Sequence, residues 1–337
     1  MGEKYLIIYH KEDNDGVFSG AIVYDYLVNT IRAANNMIDL LGADYNILNK
    51  FSQSYTAQEL HEQYKMIIMT DISFNNANFM KELYDEFEHN FIWFDHHAPI
   101  IHQSKINKFC SAEGVRDTTK SAILCAWEWF YNPFKVEENP ELLKILSAYD
   151  SWTYEENGYD FDYVFNVNKG VTSEFNLDFK KILEVVKAIR NNEDIDILNF
   201  EGLGKKLNDY DAQRYAEIIS FVGDCSWKIY TGDKLFGGEE VYRTACALFI
   251  QGPSNSVMFK SLATGDKDAI MNGIVFKRNK DSSWTISLYN IRNKDNTFHC
   301  GDYLKKFYKG GGHMGAAGCT VDEKTFIKIL KSKTLGK

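Results

Sequence analysis

Tyr5-Leu6-Ile7-Ile8-Tyr9-His10-Lys11-Glu12-Asp13-Asn14-Asp15-Gly16 decides how the first half of the chain is read. Its opening run of apolar and aromatic residues is too short for a helix and suits a buried strand. The run stops on an imidazole and a set of carboxylates, with a glycine behind them. Residues 17–31 then carry apolar side chains at helical spacing. A strand, a polar turn bearing His10, Asp13 and Asp15, and a helix are the first unit of an α/β fold.

The same pattern recurs downstream. Residues 65–70, with Met66-Ile67-Ile68-Met69, predict a second strand, and Asp71 follows it. Residues 79–87 predict a helix, and 91–94 a third strand that runs into Asp95-His96-His97. Residues 119–130 and 141–149 predict helices, the second leading to Asp150. Strands alternating with helices imply a parallel sheet covered on both faces. In such sheets ligands gather beyond the carboxyl ends of the strands, so the four clusters are expected to converge at strand ends. Carboxylates and imidazoles without thiolates suit Mn²⁺, with Mg²⁺ or Co²⁺ as related choices. Two such ions about 3.5–4 Å apart bind a phosphoryl oxygen and make hydroxide available at neutral pH.

Taken singly, each cluster has a plain structural reading. Asp13 to Gly16 reads as a turn, Asp71 as a helix cap, and Asp150 as a surface carboxylate. The first cluster is not an EF-hand loop, because Lys11 stands at the first ligand position and Ile22 where the closing Glu is needed. The segment Arg116-Asp117-Thr118-Thr119-Lys120-Ser121 reads as a helix N-terminus. His61, His89, His102 and His299 read as surface or packing residues.

The second half changes character. Residues 179–222 are rich in helix formers and carry no strong strand run. Beyond them, 227–230, 244–250, 256–259, 273–276 and 284–289 predict short strands between Gly, Asp and Asn turns, and 323–331 a closing helix. The expected organisation is a metal-binding α/β domain over 1–178, a helical linker over 179–224 and a smaller α/β domain with a mixed sheet over 225–337. Charge divides the same way: 18 basic against 10 acidic residues from Cys225 onward, and 20 against 37 before it. An acidic half that holds metals beside a basic half that attracts anions is the expectation.

Bulk properties narrow the classes. With 45% hydrophobic and 25% charged residues in 337, the chain is ordinary for a globular protein of two domains. No apolar run approaches the ~18 residues of a transmembrane helix, and the start lacks the features of a signal peptide, so a cytoplasmic protein without membrane contact is expected. The six cysteines form no C-x-x-C pair, which favours free thiols over a zinc site.

The order H-x-x-D-x-D-G, then D, then D-H-H, then D resembles the DHH phosphoesterase superfamily. Gly310-Gly311-Gly312-His313-Met314-Gly315-Ala316-Ala317-Gly318 is similar to the G-G-G-H-x-x-A-A-G signature of its associated C-terminal domain. The two signatures together span almost the whole chain. The resemblance implies that His10 and Asp13 hold one metal and that Asp71 bridges to a second, completed by Asp15, His96 and Asp150. It implies Asp95 as a carboxylate orienting a ligating imidazole, and His97 as a group that either faces the substrate phosphate or supports the ligands from outside. Gly310, Gly311, Gly312 and His313 would grip a phosphate through backbone N–H groups and the imidazole. The Ser-x-Arg-like strand end that precedes the glycine loop in relatives is here Ser287 to Arg292 with altered spacing, which makes Arg292 a candidate phosphate contact.

Within that superfamily the H-x-x-D-x-D-G form is most like the nanoRNase branch. The expected activity is hydrolysis of short RNA to mononucleotides, with the substrate lying between the two halves. A phosphatase for 3′-phosphoadenosine 5′-phosphate and a phosphodiesterase for linear or cyclic dinucleotides are the alternatives. A metal-inactive nucleic-acid-binding module is disfavoured, because every expected ligand position is filled. A pyrophosphatase is disfavoured by the Gly-Gly-Gly-His signature.

Overall fold

Strand β1 (Lys4–His10) lies at the centre of a four-stranded sheet in a computed structural model that describes residues 3–134, 136–234, 240–251, 254, 256–259, 262, 271–291, 298–312 and 314–336. It pairs in parallel with β2 (Ile38–Ala43) on one side and with β3 (Tyr64–Thr70) on the other, and β3 pairs in parallel with β4 (Phe91–Phe94). The order β2-β1-β3-β4 reverses direction between β1 and β3. That is the switch point at which open parallel sheets bind ligands.

The strands are buried on both faces, and their side chains alternate between two cores. Tyr5, Ile7, Ile68, Ile92 and Phe94 enter one, while Leu6, Ile8, Ile67, Met69, Phe91 and Trp93 enter the other. A strand with a period of two must cover both faces to bury such a continuous apolar run. The first core is closed by α1 (Asn14–Asn29), α6 (Ala122–Phe130), α7 (Glu141–Asp150), α8 (Phe161–Phe175) and α9 (Phe179–Arg190). The second is closed by α2 (Tyr45–Ser54), α3 (Ala57–Gln63), α4 (Ala77–Phe87) and α5 (Ala98–Ile106). Asp25, fully buried in α1, accepts hydrogen bonds from Tyr131 Oη at 2.7 Å and Arg190 Nε at 2.6 Å, tying α1 to α9.

The chain divides into two compact units, Met1–Leu207 and Asn208–Lys337, with the boundary inside α10 (Ile197–Val222). Of the stretch read as a linker, Ile182, Leu183, Val186, Ile189 and Phe200 belong to the first unit's core.

The second unit is a seven-stranded mixed sheet built from β5 (Asp224–Lys234), β6 (Glu240–Phe249), β7 (Asn272–Arg278), β8 (Trp284–Asn290), β9 (Gly311–Gly312), β10 (Ala316–Val321) and β11 (Thr334–Leu335). Their order is β11-β5-β6-β7-β8-β10-β9, with β6–β7 and β5–β11 parallel and the other pairs antiparallel. Helices α11 (Cys300–Tyr308) and α12 (Glu323–Ser332) pack Leu304, Phe326 and Ile329 against it. The expected fold class, a parallel-sheet domain followed by a smaller α/β domain with a mixed sheet, is the one observed.

Four local readings change. Residues 256–259, expected as a strand, form a 3₁₀ turn, Ser256–Phe259, in which Met258 and Phe259 are buried; a short apolar run signals burial without specifying the backbone that achieves it. Helix α1 starts three residues before the expected Val17, because Asp13 caps it by accepting the Gly16 N–H at 2.9 Å. Asp71 is not the cap of α4; Asn76 is. Asp150 does not follow a strand: it is the last residue of α7.

Candidate metal centre

Three of the four sequence clusters leave the sheet at the same edge. His10 ends β1, Asp71 follows β3, and Asp95-His96-His97 follow β4. Asp13 and Asp15 sit at the cap and first turn of α1, directly beyond β1. The end of α7 supplies Asp150.

Six of these side chains meet in two groups, and His97 joins Asp71 and His96 in a third. Ligand-capable atoms of His10, Asp13 and Asp71 lie within 4.8 Å of one another, and so do those of Asp15, Asp71, His96 and Asp150. Asp71 belongs to both, and it divides its two oxygens between them. Its Oδ2 is 3.4 Å from His10 Nδ1, while its Oδ1 is 3.4 Å from His96 Nε2 and 4.0 Å from His97 Nδ1. Asp71 is 2% exposed and has a φ of +57°, a left-handed conformation rare outside glycine but tolerated by Asp. Its backbone N–H donates to Phe94 O at 2.9 Å, which holds the turn against β4. The carboxylate therefore points inward from a strained position, a pattern that clusters at functional sites.

Around this shared carboxylate each residue has a second anchor. Asp13 uses Oδ1 for the α1 cap and presents Oδ2 to His10 Nδ1 at 2.8 Å. Asp15 accepts the Ala122 and Ile123 N–H groups at 3.0 and 2.7 Å, so it also serves the N-terminus of α6. Ser121 is the N-cap residue of that helix, as the 116–121 segment predicted; Arg116 turns away and donates to the carbonyls of Trp93, Glu113, Cys110 and Ala112. His96 Nε2 lies 3.0 Å from Asp150 Oδ2 and 3.8 Å from Asp15 Oδ2.

Asp95 was expected to orient a ligating imidazole, and the ring it holds is that of His97 rather than His96. Its Oδ1 is 2.8 Å from His97 Nδ1 and accepts the His97 N–H at 2.9 Å, while Oδ2 accepts Trp93 Nε1–H at 3.1 Å. With Nδ1 committed to Asp95, Nε2 is the ring's other polar atom. His97 is also more exposed than His96. This arrangement suits a group that meets substrate, with Asp95 fixing its tautomer.

The electrostatics show what the centre lacks. Burial raises the Asp71 carboxyl well above the usual range, and the charges of Asp15, Asp13 and Asp150 add to the rise. Burial and then Asp150 push Asp15 up to about 6. Burial alone would depress the imidazoles. Hydrogen bonds and charge from Asp13 and Asp71 instead hold His10 up at about 11, and those of Asp150, with the charges of Asp15 and Asp95, hold His96 at about 9. Asp71 Oδ1 is buried and makes no hydrogen bond among the described residues. Crowded carboxylates with an unsatisfied buried oxygen need positive charge at their centre. Oxygen and imidazole donors, without thiolate, fit two hard or borderline divalent cations.

Two residues that carry the site were not singled out from the sequence. Asn14, between Asp13 and Asp15, is buried and donates through Nδ2 to Asn168 O, Asn168 Oδ1 and Thr172 Oγ1 at 3.1, 2.7 and 2.8 Å. It fastens the ligand loop to α8, a contact 154 residues away that no local pattern signals. Asn14→Ala is expected to weaken Mn²⁺ binding by about 10–100-fold without removing a ligand, as read by titration calorimetry. Unchanged affinity would reduce the contact to packing. Tyr45, the first residue of α2, has its ring 6.3 Å from that of His10. Burial and the charges of Asp95, Asp71 and Asp13 raise its phenol above the ordinary value.

The glycine loop lies in the second unit. Gly311 and Gly312 pair with Gly318 and Ala317 of β10. Gly312 has a φ of +139°, and a Cβ there would meet Ala317 Cα at 2.6 Å. A Cβ on Gly310 would strike Gly318 O at 2.5 Å, whereas Gly311 has open space around it and is exposed. The loop is held from behind by Asn290, whose Nδ2 donates to Phe298 O and Met314 O at 2.9 and 3.0 Å. Asn272 Nδ2 donates to Asn290 Oδ1 at 2.8 Å, and Asn272 Oδ1 in turn accepts the Arg243 Nε–H at 2.8 Å. Arg292 and His313 lie outside the described residues.

Neither family models nor curated proteins match the sequence. Solved structures similar to the chain include PggH, a pGpG-specific phosphodiesterase from Vibrio cholerae, at 13% identity over 98% of this chain and 97% of that one, with a TM-score of 0.47. An exopolyphosphatase-related protein from Bacteroides fragilis is similar at 14% identity over 98% and 91%, with a TM-score of 0.46. RecJ from Thermus thermophilus, in complex with Mn²⁺, is similar at 12% identity over 98% of this chain and 51% of RecJ, with a TM-score of 0.48. What the chain can do chemically follows from its own residues.

Proposed function

We infer that this chain, whose ordered motifs and convergent side chains are those of the DHH superfamily, is a metal-dependent phosphodiesterase that hydrolyses short oligonucleotides to mononucleotides. The observation that carries the reading is the division of Asp71 between two ligand groups, His10 with Asp13 and Asp15 with His96 and Asp150. Two divalent ions held there, Mn²⁺ by preference, would neutralise a phosphoryl group and supply hydroxide near pH 7. The protein's own residues do the rest. Asp71 fixes the spacing of the two groups, Asp95 holds the His97 ring by Nδ1, and His97 presents Nε2 to the phosphate or the leaving oxygen.

The choice of a short substrate rests on charge and on the glycine loop. The first 224 residues carry 37 acidic against 20 basic side chains, which repels a long polyanion. The basic remainder offers the exposed backbone of Gly311 and, on the resemblance, His313 as a grip for a second phosphate or terminal group. A substrate of a few nucleotides needs no extended surface, whereas long single strands require an extended basic groove. Among the described residues no helix is long and apolar enough to cross a membrane.

The test is a substrate panel with purified protein and Mn²⁺: RNA of two to about ten nucleotides, linear and cyclic dinucleotides, 3′-phosphoadenosine 5′-phosphate and pyrophosphate. The highest kcat/KM is expected on the shortest RNAs, with activity lost on chelation and restored by Mn²⁺. Preference for 3′-phosphoadenosine 5′-phosphate would reassign the enzyme as a phosphatase, and tight nucleotide binding without turnover would make it a binding module.

A further inference from the structure

Tyr45 stands where the chain re-enters the site from a third direction. Strand β2 runs parallel to β1 with Ala43 opposite His10, and the Lys11 N–H donates to Ala43 O at 3.1 Å. Asp44 then caps α2 by accepting the Ile47 N–H at 2.8 Å, and its Oδ2 pairs with Lys11 Nζ at 3.1 Å. These contacts lock the start of α2 against the His10 turn. Tyr45 is thereby placed with its ring 6.3 Å from the His10 ring at an interplanar angle of 49°. Tyr45 therefore stands at the rim of the group formed by His10, Asp13 and Asp71.

Its other properties are those of a substrate group. Tyr45 is 39% exposed, and its hydroxyl makes no hydrogen bond among the described residues. A phenol hydroxyl is a hydrogen-bond donor as well as an acceptor. Of the species that reach a two-cation centre from solvent, a phosphoryl group brings acceptor oxygens.

We propose that Tyr45 is a catalytic residue whose hydroxyl donates a hydrogen bond to a non-bridging oxygen of the phosphoryl group bound over Asp71. The proposal rests on the phosphodiesterase reading of the centre and adds a neutral donor to it. Such a donor strengthens its bond as negative charge grows on the phosphoryl oxygens, so it acts on kcat more than on KM.

The experiment uses the full chain with Mn²⁺, the variants Tyr45→Phe and Tyr45→Leu, and two substrates, the RNA dinucleotide ApA and bis(p-nitrophenyl) phosphate. Tyr45→Phe is expected to lower kcat roughly ten- to hundredfold on both substrates by similar factors, as befits loss of one hydrogen bond to a charged group. Mn²⁺ affinity by calorimetry is expected to stay within about twofold of wild type, and Tyr45→Leu to lose little more. Wild-type kcat in Tyr45→Phe overturns the proposal, including the case in which only Tyr45→Leu is impaired, which would make the ring the contributing part. A loss confined to ApA points to a base or leaving-group contact, and a loss that tracks weakened Mn²⁺ binding points to support of His10; either result overturns it. Failure of the phosphodiesterase reading looks different, because the wild-type chain would then bind Mn²⁺ and hydrolyse neither diester.

Discussion

Asp71→Asn is expected to lower kcat/KM by roughly a thousandfold or more at saturating Mn²⁺ while leaving the metal-free protein at least as stable as wild type. The activity loss follows from position. Asp71 is the one side chain common to both ligand groups, with one oxygen toward each. Losing its charge removes the shared carboxylate, and with it several kcal/mol of transition-state stabilisation at about 1.4 kcal/mol per factor of ten. The stability argument has the opposite sign. Without metal, Asp71 is a buried carboxylate facing Asp15, Asp13 and Asp150, and burial with that repulsion raises its pKa. A neutral amide relieves both. Asparagine also accepts the left-handed backbone at φ +57°, where alanine adds about 1–2 kcal/mol of strain; Asp71→Ala should therefore match the activity loss and melt lower than Asp71→Asn. Thermal melts with and without Mn²⁺ check this, since the metal-induced rise in Tm should vanish in both variants. Near-normal turnover of Asp71→Asn would remove the two-metal assignment.

The second large effect is expected at a residue that touches no substrate. Gly16→Ala should cost about 1–3 kcal/mol of stability, lower Tm by several degrees, and reduce kcat/KM by about a hundredfold. Alanine for glycine in a helix normally gains up to about 1 kcal/mol. At Gly16 that gain is outweighed, because a Cβ would stand 2.1 Å from His10 O and 2.5 Å from His10 Cβ. Backbone atoms cannot swing aside as a side-chain tip can. Either the end of β1 or the first turn of α1 must move, and these carry His10, Asp13 and Asp15. Gly202→Ala in α10 is the control: nothing lies within 4 Å of its added Cβ, so stability should hold or rise and activity stay unchanged. Equal behaviour of the two variants in Mn²⁺ titration and melting would show that close packing of α1 on β1 does not govern the ligands.

Much of this arrangement was legible in the chain because it is written at short range. The run Tyr5 to Tyr9 has strand length and strand residues, and polar ligands immediately beyond it can only lie at the strand's end. The same holds for Asp71 after Met69-Thr70 and for Asp95-His96-His97 after Phe94. Residue type also selects the metal class, since carboxylate and imidazole donors are properties of composition. The glycine loop could be recognised because close approach of Gly310 and Gly312 to β10 excludes a Cβ.

Other features depend on contacts between residues far apart, and no local pattern carries them. Asp150 sits on α7, so its place beside His96 comes from how that helix packs and not from a strand end. The pairing of Asp95 with His97 instead of His96 turns on which adjacent ring the backbone aims at Oδ1, a choice made by the turn after β4. Asn14 gains its role only because α8 brings Asn168 and Thr172 against it. Tyr45 is an ordinary aromatic residue until β2 lies beside β1. Periodicity and residue type thus report which groups are polar, buried or at a strand end, because those are set within a few residues. Which oxygen faces which imidazole is set by packing across more than a hundred residues, where small differences in position choose between partners of the same chemistry.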